Sequence, residues 1–269
     1  MEVVFLDIDG TLVDYSMAVP ASAVQAIRRA RERGHQVYLT TGRSRAEVYP
    51  DLWEIGFDGL IGGNGMYIER RGEVLVNRSM ARADVVETVA WMQERGLGFY
   101  LESKNGLFGN DRLVERAMFI FGEDTPANRA EFAHLMPELI YDGSLDRDDV
   151  AKISFALNPD HYAEALETFG ERLKVTTWSG TGKGPEFGEF AILGVDKVHA
   201  VIDLLSRLDG VERTFAFGDA ASDRAMIEFC DVGVAMGNSP DELKAVADHV
   251  TAHVAEDGLA KAFEEFGLI

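Results

Sequence analysis

Short apolar runs alternate with amphipathic helical segments at both ends of this 269-residue chain. Residues 3–6 are typical of a strand buried on both faces, and residues 36–39 of a second strand. Between them, residues 20–33 carry the apolar spacing of a helix that stops at Gly34. Because parallel strands need such helical crossovers, this order predicts an α/β protein with a doubly wound, Rossmann-like parallel sheet.

The same alternation of predicted strands and helices continues beyond residue 39 and is found again near the end of the chain. Ser44 and Glu47 fit a capping box, which predicts that another helix begins there. The other elements predicted for this part are a strand at 57–61, a hairpin turning at Arg71 and Gly72, a helix at 196–208, a strand at 213–217, a helix at 221–229, a strand at 232–235, and helices at 239–247 and 256–266.

The middle of the chain has a different pattern. We predict helices at 83–95, 111–121, 127–136 and 160–170, strands at 97–102, 151–157 and 173–178, and a glycine-rich loop at 179–189. This mixture is typical of an α+β unit with an antiparallel sheet. Residues 1–82 and 189–269 are therefore expected to form one domain, with residues 83–188 inserted into it.

Charge and cysteine content exclude several classes of protein. Lys and Arg number 26 against 46 Asp and Glu, a formal net charge of −20. Such a chain is a poor partner for nucleic acid or an anionic membrane surface, although a small basic pocket for an anionic metabolite stays open. Cys230 is the only cysteine, which excludes an intramolecular disulfide and a multi-cysteine zinc site. No signal-peptide pattern and no long apolar run is present, so we expect a cytoplasmic protein.

Acidic residues follow two of the predicted strands directly. Asp7 and Asp9 come after the first strand, and Asp219 and Asp223 after the strand at 213–217. If the two strands are neighbours, these carboxylates meet at the carboxyl edge of the sheet, where α/β proteins bind ligands. Close carboxylates repel one another, and oxygen ligands suit Mg²⁺.

Each of these signals has a plainer interpretation. Acids after strands also cap helices, and Asp-Gly pairs are common turns, but two such sites in one domain favour the magnesium site. Thr41 at another strand end is suited to binding phosphate or to capping a turn. Lys197 begins a predicted helix, where its charge opposes the helix dipole, although a solvated lysine is the commoner case. The six histidines have no metal-ligand spacing and are read as surface or packing residues.

Taken in order, four elements resemble the haloacid dehalogenase (HAD) superfamily of phosphatases. They are DIDGT at 7–11, Thr41, Lys197 and GDAASD at 218–223. Further segments are similar to the Cof-type branch of that superfamily, whose large α/β cap (class IIB) is inserted between the second and third motifs: TTGR at 40–43, Asn64-Gly65, VAMGNSPDELKAVAD at 234–248 and EDGLAKAF at 256–263. The resemblance implies that residues 83–188 are the cap and that the rest is the catalytic core.

The resemblance also implies the chemistry. Asp7 would be the nucleophile that forms an aspartyl-phosphate, and Asp9 the general acid and then the base. Mg²⁺ would be held by the Asp7 carboxylate, the Asp9 backbone carbonyl and Asp219, with Asp223 completing or orienting the shell. Thr41 and Lys197 would bind the phosphoryl oxygens.

Other residues are expected to contact the substrate. Gly42 and Arg43 are expected to line the phosphate end of the site, and Asn64 and Asn238 to be neighbouring polar groups. In the insertion, Lys152, Lys183 and the segment 180–186 are candidates for substrate contacts.

Two segments depart from the branch pattern. Ser222 stands where the branch commonly has Asn before the last Asp of the fourth motif, and residues 251–254 (THAV) lack the Asn often found there. These changes put phosphate contacts from the two segments in doubt, and neither concerns a predicted core catalytic residue.

The sequence therefore predicts a Mg²⁺-dependent phosphomonoester hydrolase acting on a small phosphorylated metabolite, either a sugar phosphate or a phosphorylated cofactor. A phosphomutase of a related branch and a non-hydrolytic, phosphate-responsive binding protein are the alternatives. A nicotinamide dehydrogenase is disfavoured because no GxGxxG follows the first strand. A monomer or a homodimer is expected, and the sequence leaves the physiological substrate open.

Overall fold

A computed structural model describes residues 1–14, 17–120, 123–136, 138–141, 143–157, 159–179 and 185–269. The chain divides into two compact units. The first unit consists of Met1–Arg43, Val48–Val76 and Val195–Ile269, and the second unit of Ser44–Glu47 and Asn77–Gly194. The interpretation of residues 83–188 as a cap stays a prediction.

The elements of secondary structure alternate along the chain. The strands are β1 (Glu2–Leu6), β2 (Gln36–Thr40), β3 (Gly59–Gly62), β4 (Tyr67–Arg70), β5 (Glu73–Asn77), β6 (Phe99–Ser103), β7 (Gly106–Gly109), β8 (Leu139–Ile140), β9 (Lys152–Ala156), β10 (Leu173–Trp178), β11 (Phe187–Ile192), β12 (Arg213–Gly218), β13 (Val232–Ala235) and β14 (His249–Val250). The α-helices are α1 (Ala21–Glu32), α2 (Pro50–Ile55), α3 (Arg82–Glu94), α4 (Leu113–Ile120), α5 (Pro126–Leu135), α6 (Pro159–Phe169), α7 (Lys197–Leu205), α8 (Arg224–Phe229), α9 (Asp241–Lys244) and α10 (Gly258–Glu265). Short 3-10 helices lie at Arg45–Glu47, Gly63–Gly65, Ala221–Asp223 and Val254–Glu256. Among the described residues, no helix has the length and apolar character needed to cross a membrane.

The first unit is built on a sheet with the strand order β14-β13-β12-β1-β2-β3-β4-β5. The strands from β14 to β3 in that order run parallel, and β4 is antiparallel to β3. Strand β1 lies between β12 and β2, so that Leu6 pairs with Phe217 on one side and with Leu39 on the other. The predicted doubly wound α/β fold is confirmed, and the first strand lies at the centre of its sheet.

Both faces of this sheet are covered by helices. Val4 and Leu6 of β1 belong to a buried cluster with residues of α1 and α10, while Val3 and Phe5 belong to another with residues of α7 and α8. Successive side chains of a strand point to opposite faces, so β1 has to be apolar throughout. This burial explains the uninterrupted apolar run from which the strand was predicted.

The second unit contains an independent sheet with the order β10-β11-β9-β6-β7-β8. Its pairs are antiparallel, apart from the parallel pair β7 and β8. Helices α3 and α6 pack on one face, where Trp91 and Phe169 meet Phe155 and Phe190 in stacked and edge-on contacts. This is the α+β architecture expected from the mixed pattern of the sequence.

The predicted loop at 179–189 is wrong at its end, because β11 begins at Phe187 and lies between β10 and β9. Gly188 obscured this strand in the sequence, since glycine is depleted from strands. A Cβ at Gly188 would lie 2.2 Å from the ring of Phe155, so the glycine allows a close approach of the ring to the backbone. The short strands β7, β8 and β14 were not predicted either.

The helix predicted from the capping box is also different in the structure. Ser44 begins a single 3-10 turn at Arg45–Glu47, and α2 begins only at Pro50. Proline suits the first position of a helix because that position needs no N–H donor. The predicted helix at 239–247 is shortened to Asp241–Lys244.

We predict that Gly188→Val destabilises the second unit by about 1–3 kcal/mol, because the new side chain overlaps the buried Phe155 ring. Urea unfolding of the full chain, followed by tryptophan fluorescence, measures this change. Thr177→Ala is the matched control, since Thr177 of β10 is the strand partner of Gly188 in β11 but is exposed. We expect this variant to change the free energy of unfolding by less than about 1 kcal/mol. Equal stability of Gly188→Val and the wild type would contradict the packing argument.

A second prediction concerns Cys230, which is buried in the cluster that also contains residues of α7 and α8. Burial raises the pKa of its thiol to about 12, and the charge of Asp231 adds to this effect. At pH 8 the thiol should react with a disulfide reagent such as DTNB at least about 100-fold more slowly in the folded protein than in denaturant. A similar rate in the two states would show that the thiol is accessible.

Candidate active site

The parallel pairing of β1 and β12 brings the acids after the two strands together. Asp7 follows Leu6, is 6% exposed, and donates its backbone N–H to the Phe217 carbonyl at 3.0 Å. Asp219 follows the end of β12 and is likewise buried. One carboxylate oxygen from each of Asp7, Asp219 and Asp223 lies within 4.8 Å of the other two. This is the edge of the sheet at which a ligand site is expected.

Lys197 lies between two of these carboxylates. Its Nζ donates to Asp7 Oδ1 and to Asp223 Oδ1, both at 2.6 Å, and the residue is only 2% exposed. Burial lowers the pKa of Lys197, but the charges of Asp223 and Asp7 outweigh burial and raise it, so the ammonium stays protonated. The two ion pairs offset the unfavourable position of a cation at the start of α7.

Asp223 is held by the backbone of its own loop. Its Oδ2 accepts hydrogen bonds from the N–H groups of Asp219 and Ala220, at 3.1 and 3.0 Å. The loop closes tightly enough that a Cβ at Gly218 would lie 2.3 Å from the Asp223 Cβ. Since Oδ1 accepts from Lys197, both oxygens of Asp223 are engaged, which suits an orienting role.

Asp219 is oriented by Asn238 and packs against Gly10. Asn238 Nδ2 donates to Asp219 Oδ2 at 3.2 Å and to the Gly10 carbonyl at 2.8 Å, while its Oδ1 accepts from the Val254 N–H. Gly10 has a φ of +79°, and a Cβ there would lie 2.0 Å from Asp219 Oδ2. Glycine is therefore required at this position of the DIDGT segment.

Among the residues that the structure describes, the negative charge of the cluster exceeds the positive charge around it. Burial raises the pKa of Asp7 well above its usual range, as do the charges of Asp223, Asp219 and Asp9, and Lys197 compensates only in part. With Asp9 included, four carboxylates face the two cations Lys197 and Arg43, which leaves two negative charges when all are ionised. The all-oxygen donor set and this excess charge fit a divalent cation such as Mg²⁺.

Asp9 lies apart from the three clustered carboxylates. Arg43 Nε and Nη2 donate to Asp9 Oδ2 and Oδ1 at 2.8 and 2.6 Å, and the Asp9 side chain is 43% exposed. The guanidinium also lies 4.7 Å from the centre of the Tyr49 ring. Burial lowers the pKa of Arg43, but the charge of Asp9 and the hydrogen bonds to it outweigh burial and raise the pKa above its usual value. Arg43 therefore stays protonated. The sequence analysis placed Arg43 at the phosphate end and did not find this two-point ion pair.

Thr41 and Gly42 form a tight turn before Arg43. The Arg43 N–H donates to Thr41 Oγ1 at 3.1 Å, and the Asn64 N–H donates to the Thr41 carbonyl at 2.9 Å. Asn64 has a left-handed backbone, with φ of 54°, and its amide lies 3.4 Å from the position of a Cβ on Gly42. The structure thus brings the predicted residues Thr41, Gly42, Arg43 and Asn64 together.

The predicted substrate residues of the insertion are placed differently. Lys152 in the second unit is buried, and its Nζ pairs with Glu189 Oε2 at 2.9 Å and with Glu102 Oε2 at 3.1 Å. Its assignment to a substrate therefore stays a prediction, made for a lysine that already has two partners. Lys183 and the rest of 180–184 lie outside the described residues. Ser222 is exposed on the turn after β12.

Several known proteins are similar to this chain over its whole length. The 5-amino-6-(5-phospho-D-ribitylamino)uracil phosphatase YcsE of Bacillus subtilis (strain 168) is 28% identical, with 100% of this chain and 96% of the relative covered. The phosphoglycolate phosphatase of Methanobrevibacter smithii is 25% identical, with 100% and 99% covered. Among solved structures, the HAD subclass IIB sugar phosphatase BT4131 has a TM-score of 0.80 at 24% identity, and both chains are covered completely (100%). This last likeness concerns the fold.

A sequence profile described as haloacid dehalogenase-like hydrolase matches residues 4–263. The match spans both groups of motifs and the insertion between them, so the resemblance to the haloacid dehalogenase superfamily that was predicted from the four motifs is confirmed. The predicted class of enzyme, a hydrolase, is confirmed with it. The chain belongs to the haloacid dehalogenase-like hydrolase family.

Proposed function

We propose that the protein is a Mg²⁺-dependent phosphatase that hydrolyses a small phosphorylated metabolite through an aspartyl-phosphate on Asp7. One arrangement carries the proposal. Asp7 lies at the carboxyl end of the central strand, 2.6 Å from Lys197 and beside Asp219 and Asp223, while Asp9 two residues later is held by Arg43. A nucleophile, a cation for the phosphoryl oxygens and a separate acid–base group are thus all present.

In the first step, a carboxylate oxygen of Asp7 attacks phosphorus. The bond between this oxygen and phosphorus forms while the bond to the leaving oxygen breaks, and Asp9 gives its proton to the leaving oxygen. Lys197 and Thr41 bind the equatorial oxygens of the phosphoryl group. The buried position of Asp7 excludes bulk water from the nucleophile.

In the second step, Asp9 takes a proton from a water molecule, which attacks phosphorus. The bond between phosphorus and Asp7 breaks, so that inorganic phosphate and the free Asp7 carboxylate are formed. Arg43 orients the ionised Asp9 carboxylate, which is the form that accepts this proton, because two parallel hydrogen bonds fix the plane of the carboxylate.

Asp7 and Asp219 would hold the metal ion together with the Asp9 backbone carbonyl, and Asp223 would orient the site through Lys197 and the backbone N–H groups of its loop. Mg²⁺, when bound, supplies the positive charge that favours the ionised form of Asp7 and offsets the charge of the substrate.

The names of the relatives support a phosphorylated small molecule as substrate. Two of them are named as phosphatases of a ribitylamino-uracil phosphate and of phosphoglycolate, and the structural neighbour as a sugar phosphatase. We therefore propose a sugar phosphate or a phosphorylated cofactor for this chain. The cytoplasmic location and the choice between monomer and homodimer stay predictions.

Phosphate release from a panel of sugar phosphates, nucleotides, phosphorylated cofactors and p-nitrophenyl phosphate tests the activity. We expect Mg²⁺-dependent release that falls by at least about 1,000-fold in Asp7→Asn, because the amide is not a nucleophile. Asp209→Asn is the matched control, since it makes the same chemical change at an exposed aspartate, and it should retain wild-type activity.

Other outcomes of this panel distinguish the alternatives. Equal activity of Asp7→Asn and the wild type would disprove the nucleophile. Isomerised sugar phosphate without free phosphate would indicate a phosphomutase. Tight binding of Mg²⁺ and phosphate analogues without turnover of any compound would favour the phosphate-responsive binding protein.

Metal binding is measured separately from turnover. At a Mg²⁺ concentration ~100-fold above its Kd, we expect Tm to rise by about 5 °C, because a ligand that binds only the folded state stabilises it. Asp219→Asn should abolish most of this rise, whereas Asp209→Asn should leave it unchanged. An unaltered rise in Asp219→Asn would place the metal elsewhere.

A further inference from the structure

Asn238 lies in the turn after β13, and its amide contacts three separate segments of the first unit. Its Nδ2 donates to the Gly10 carbonyl at 2.8 Å and to Asp219 Oδ2 at 3.2 Å. Its Oδ1 accepts from the Val254 N–H at 3.0 Å. Because two of these partners accept and the third donates, only one orientation of the amide satisfies all three contacts. The side chain thus joins the loops after β1 and β12 to the 3-10 turn at Val254–Glu256, all within one compact unit.

The backbone that carries Asn238 is itself fixed against the end of β12. The Met236 N–H donates to the Gly218 carbonyl at 3.0 Å. The next residue, Gly237, packs so closely that a Cβ there would lie only 2.5 Å from the backbone N of His253. The amide is therefore presented from a segment of backbone that has little room to move.

One oxygen of the Asp219 carboxylate is held by these contacts. Oδ2 accepts the hydrogen bond from Asn238 and packs against Gly10, where a Cβ would lie 2.0 Å from it. Asp219 is only 3% exposed, so bulk water does not compete freely for this oxygen. The hydrogen bond and the packing together fix the plane of the carboxylate.

The neighbouring carboxylates are restricted in a similar way. Asp7 Oδ1 accepts from Lys197. Asp223 uses Oδ1 for Lys197 and Oδ2 for the backbone N–H groups of its own loop. Each carboxylate of the cluster therefore has at least one oxygen engaged within the protein, and none of the three can offer two unengaged oxygens to one ion.

This restriction distinguishes between divalent cations. Ca²⁺ takes about six to eight oxygen ligands at about 2.3–2.6 Å and often binds both oxygens of a carboxylate, whereas Mg²⁺ takes about six at about 2.0–2.1 Å and keeps several waters. Carboxylates that each offer at most one oxygen suit Mg²⁺ and remove the two-oxygen contacts that favour Ca²⁺. For Asp219, the side chain that imposes this limit is Asn238.

We propose that Asn238 is a positioning residue that determines the preference of the site for Mg²⁺ over Ca²⁺: by holding Asp219 Oδ2, it limits this carboxylate to one ligand oxygen. The inference rests on the metal site and the phosphatase proposed above. It differs from the role that the sequence predicts for Asn238, a polar group near the substrate, and the two roles have different consequences for metal binding.

The experiment measures the Kd of Mg²⁺ and the Kd of Ca²⁺ by calorimetric titration of the full chain without substrate. We expect the ratio of the Ca²⁺ Kd to the Mg²⁺ Kd to fall by about 10-fold or more in Asn238→Ala, since losing a group that orients a metal ligand typically changes metal affinity by about 10–100-fold. Ca²⁺ should also inhibit Mg²⁺-dependent phosphate release at a lower concentration than in the wild type. Binding that remains in Asp219→Asn is assigned to other sites and subtracted.

Two further variants separate this role from a general loss of structure. A smaller folded fraction weakens the apparent binding of both ions by the same factor and leaves the ratio unchanged. Asn238→Leu keeps the approximate volume of the side chain without its hydrogen bonds, and it should change the ratio in the same direction as Asn238→Ala. Asn105→Ala is the matched control: it removes another amide that donates to an aspartate, Asp149, at 2.8 Å on the surface of the second unit, and it should leave both Kd values unchanged.

An unchanged ratio in Asn238→Ala and Asn238→Leu, including equal weakening of the two ions, would overturn the role in metal preference. A higher KM for the phosphorylated substrate with unchanged metal Kd values would overturn it as well, and would place the amide at the substrate. If the wild type binds Mg²⁺ but hydrolyses no compound of the panel, the proposed phosphatase fails while the ratio still tests Asn238. A wild type that binds neither ion would refute the metal site and the role of Asn238 together.

Discussion

The ion pairs of Lys197 are the interaction on which the catalytic end of the sheet depends. One ammonium contacts Asp7 at the end of β1 and Asp223 in the loop after β12, so a single cation joins segments that are far apart in sequence. Removing one partner from a buried ion pair is far more costly than losing an exposed one, because the remaining charge is left without compensation. Loss of Lys197 would therefore leave Asp7 and Asp223 buried without a compensating charge.

Close packing of the backbone positions the carboxylates of the site together with these ion pairs. Gly10 allows the loop after β1 to approach Asp219 more closely than a side chain would permit, and Gly218 allows the loop after β12 to close on Asp223. Asn238 links the first of these loops to the Asp219 carboxylate. These features position charged groups without using charge themselves. When all four carboxylates are ionised, the site carries an excess of two negative charges, which is the physical reason for expecting a divalent cation. This excess follows from the number of carboxylates and not from any one of them.

The second unit shows that burial of charge is not restricted to the catalytic residues. Lys152 lies between Glu102 and Glu189, while Glu102 also meets Glu47. The ammonium of Lys152 lies within ion-pair distance of two acidic side chains on strands of its own sheet, and its assignment to the substrate stays a prediction. Through Glu47, the same cluster extends to the turn that follows Arg43.

The sequence by itself predicted the fold class, because short apolar strands alternate with helices, and it predicted the family through the resemblance of four ordered motifs. It also predicted that Asp7 and Asp219 lie close together, because each follows a buried strand and the two strands are neighbours. It missed β11, since Gly188 reads as a loop until the Phe155 ring against it is known. Only the tertiary structure decided how the charges pair. Arg43 with Asp9, and Lys197 with two carboxylates, are contacts between distant segments, and no local pattern encodes which partner a buried charge will have once neighbouring strands have brought several within reach.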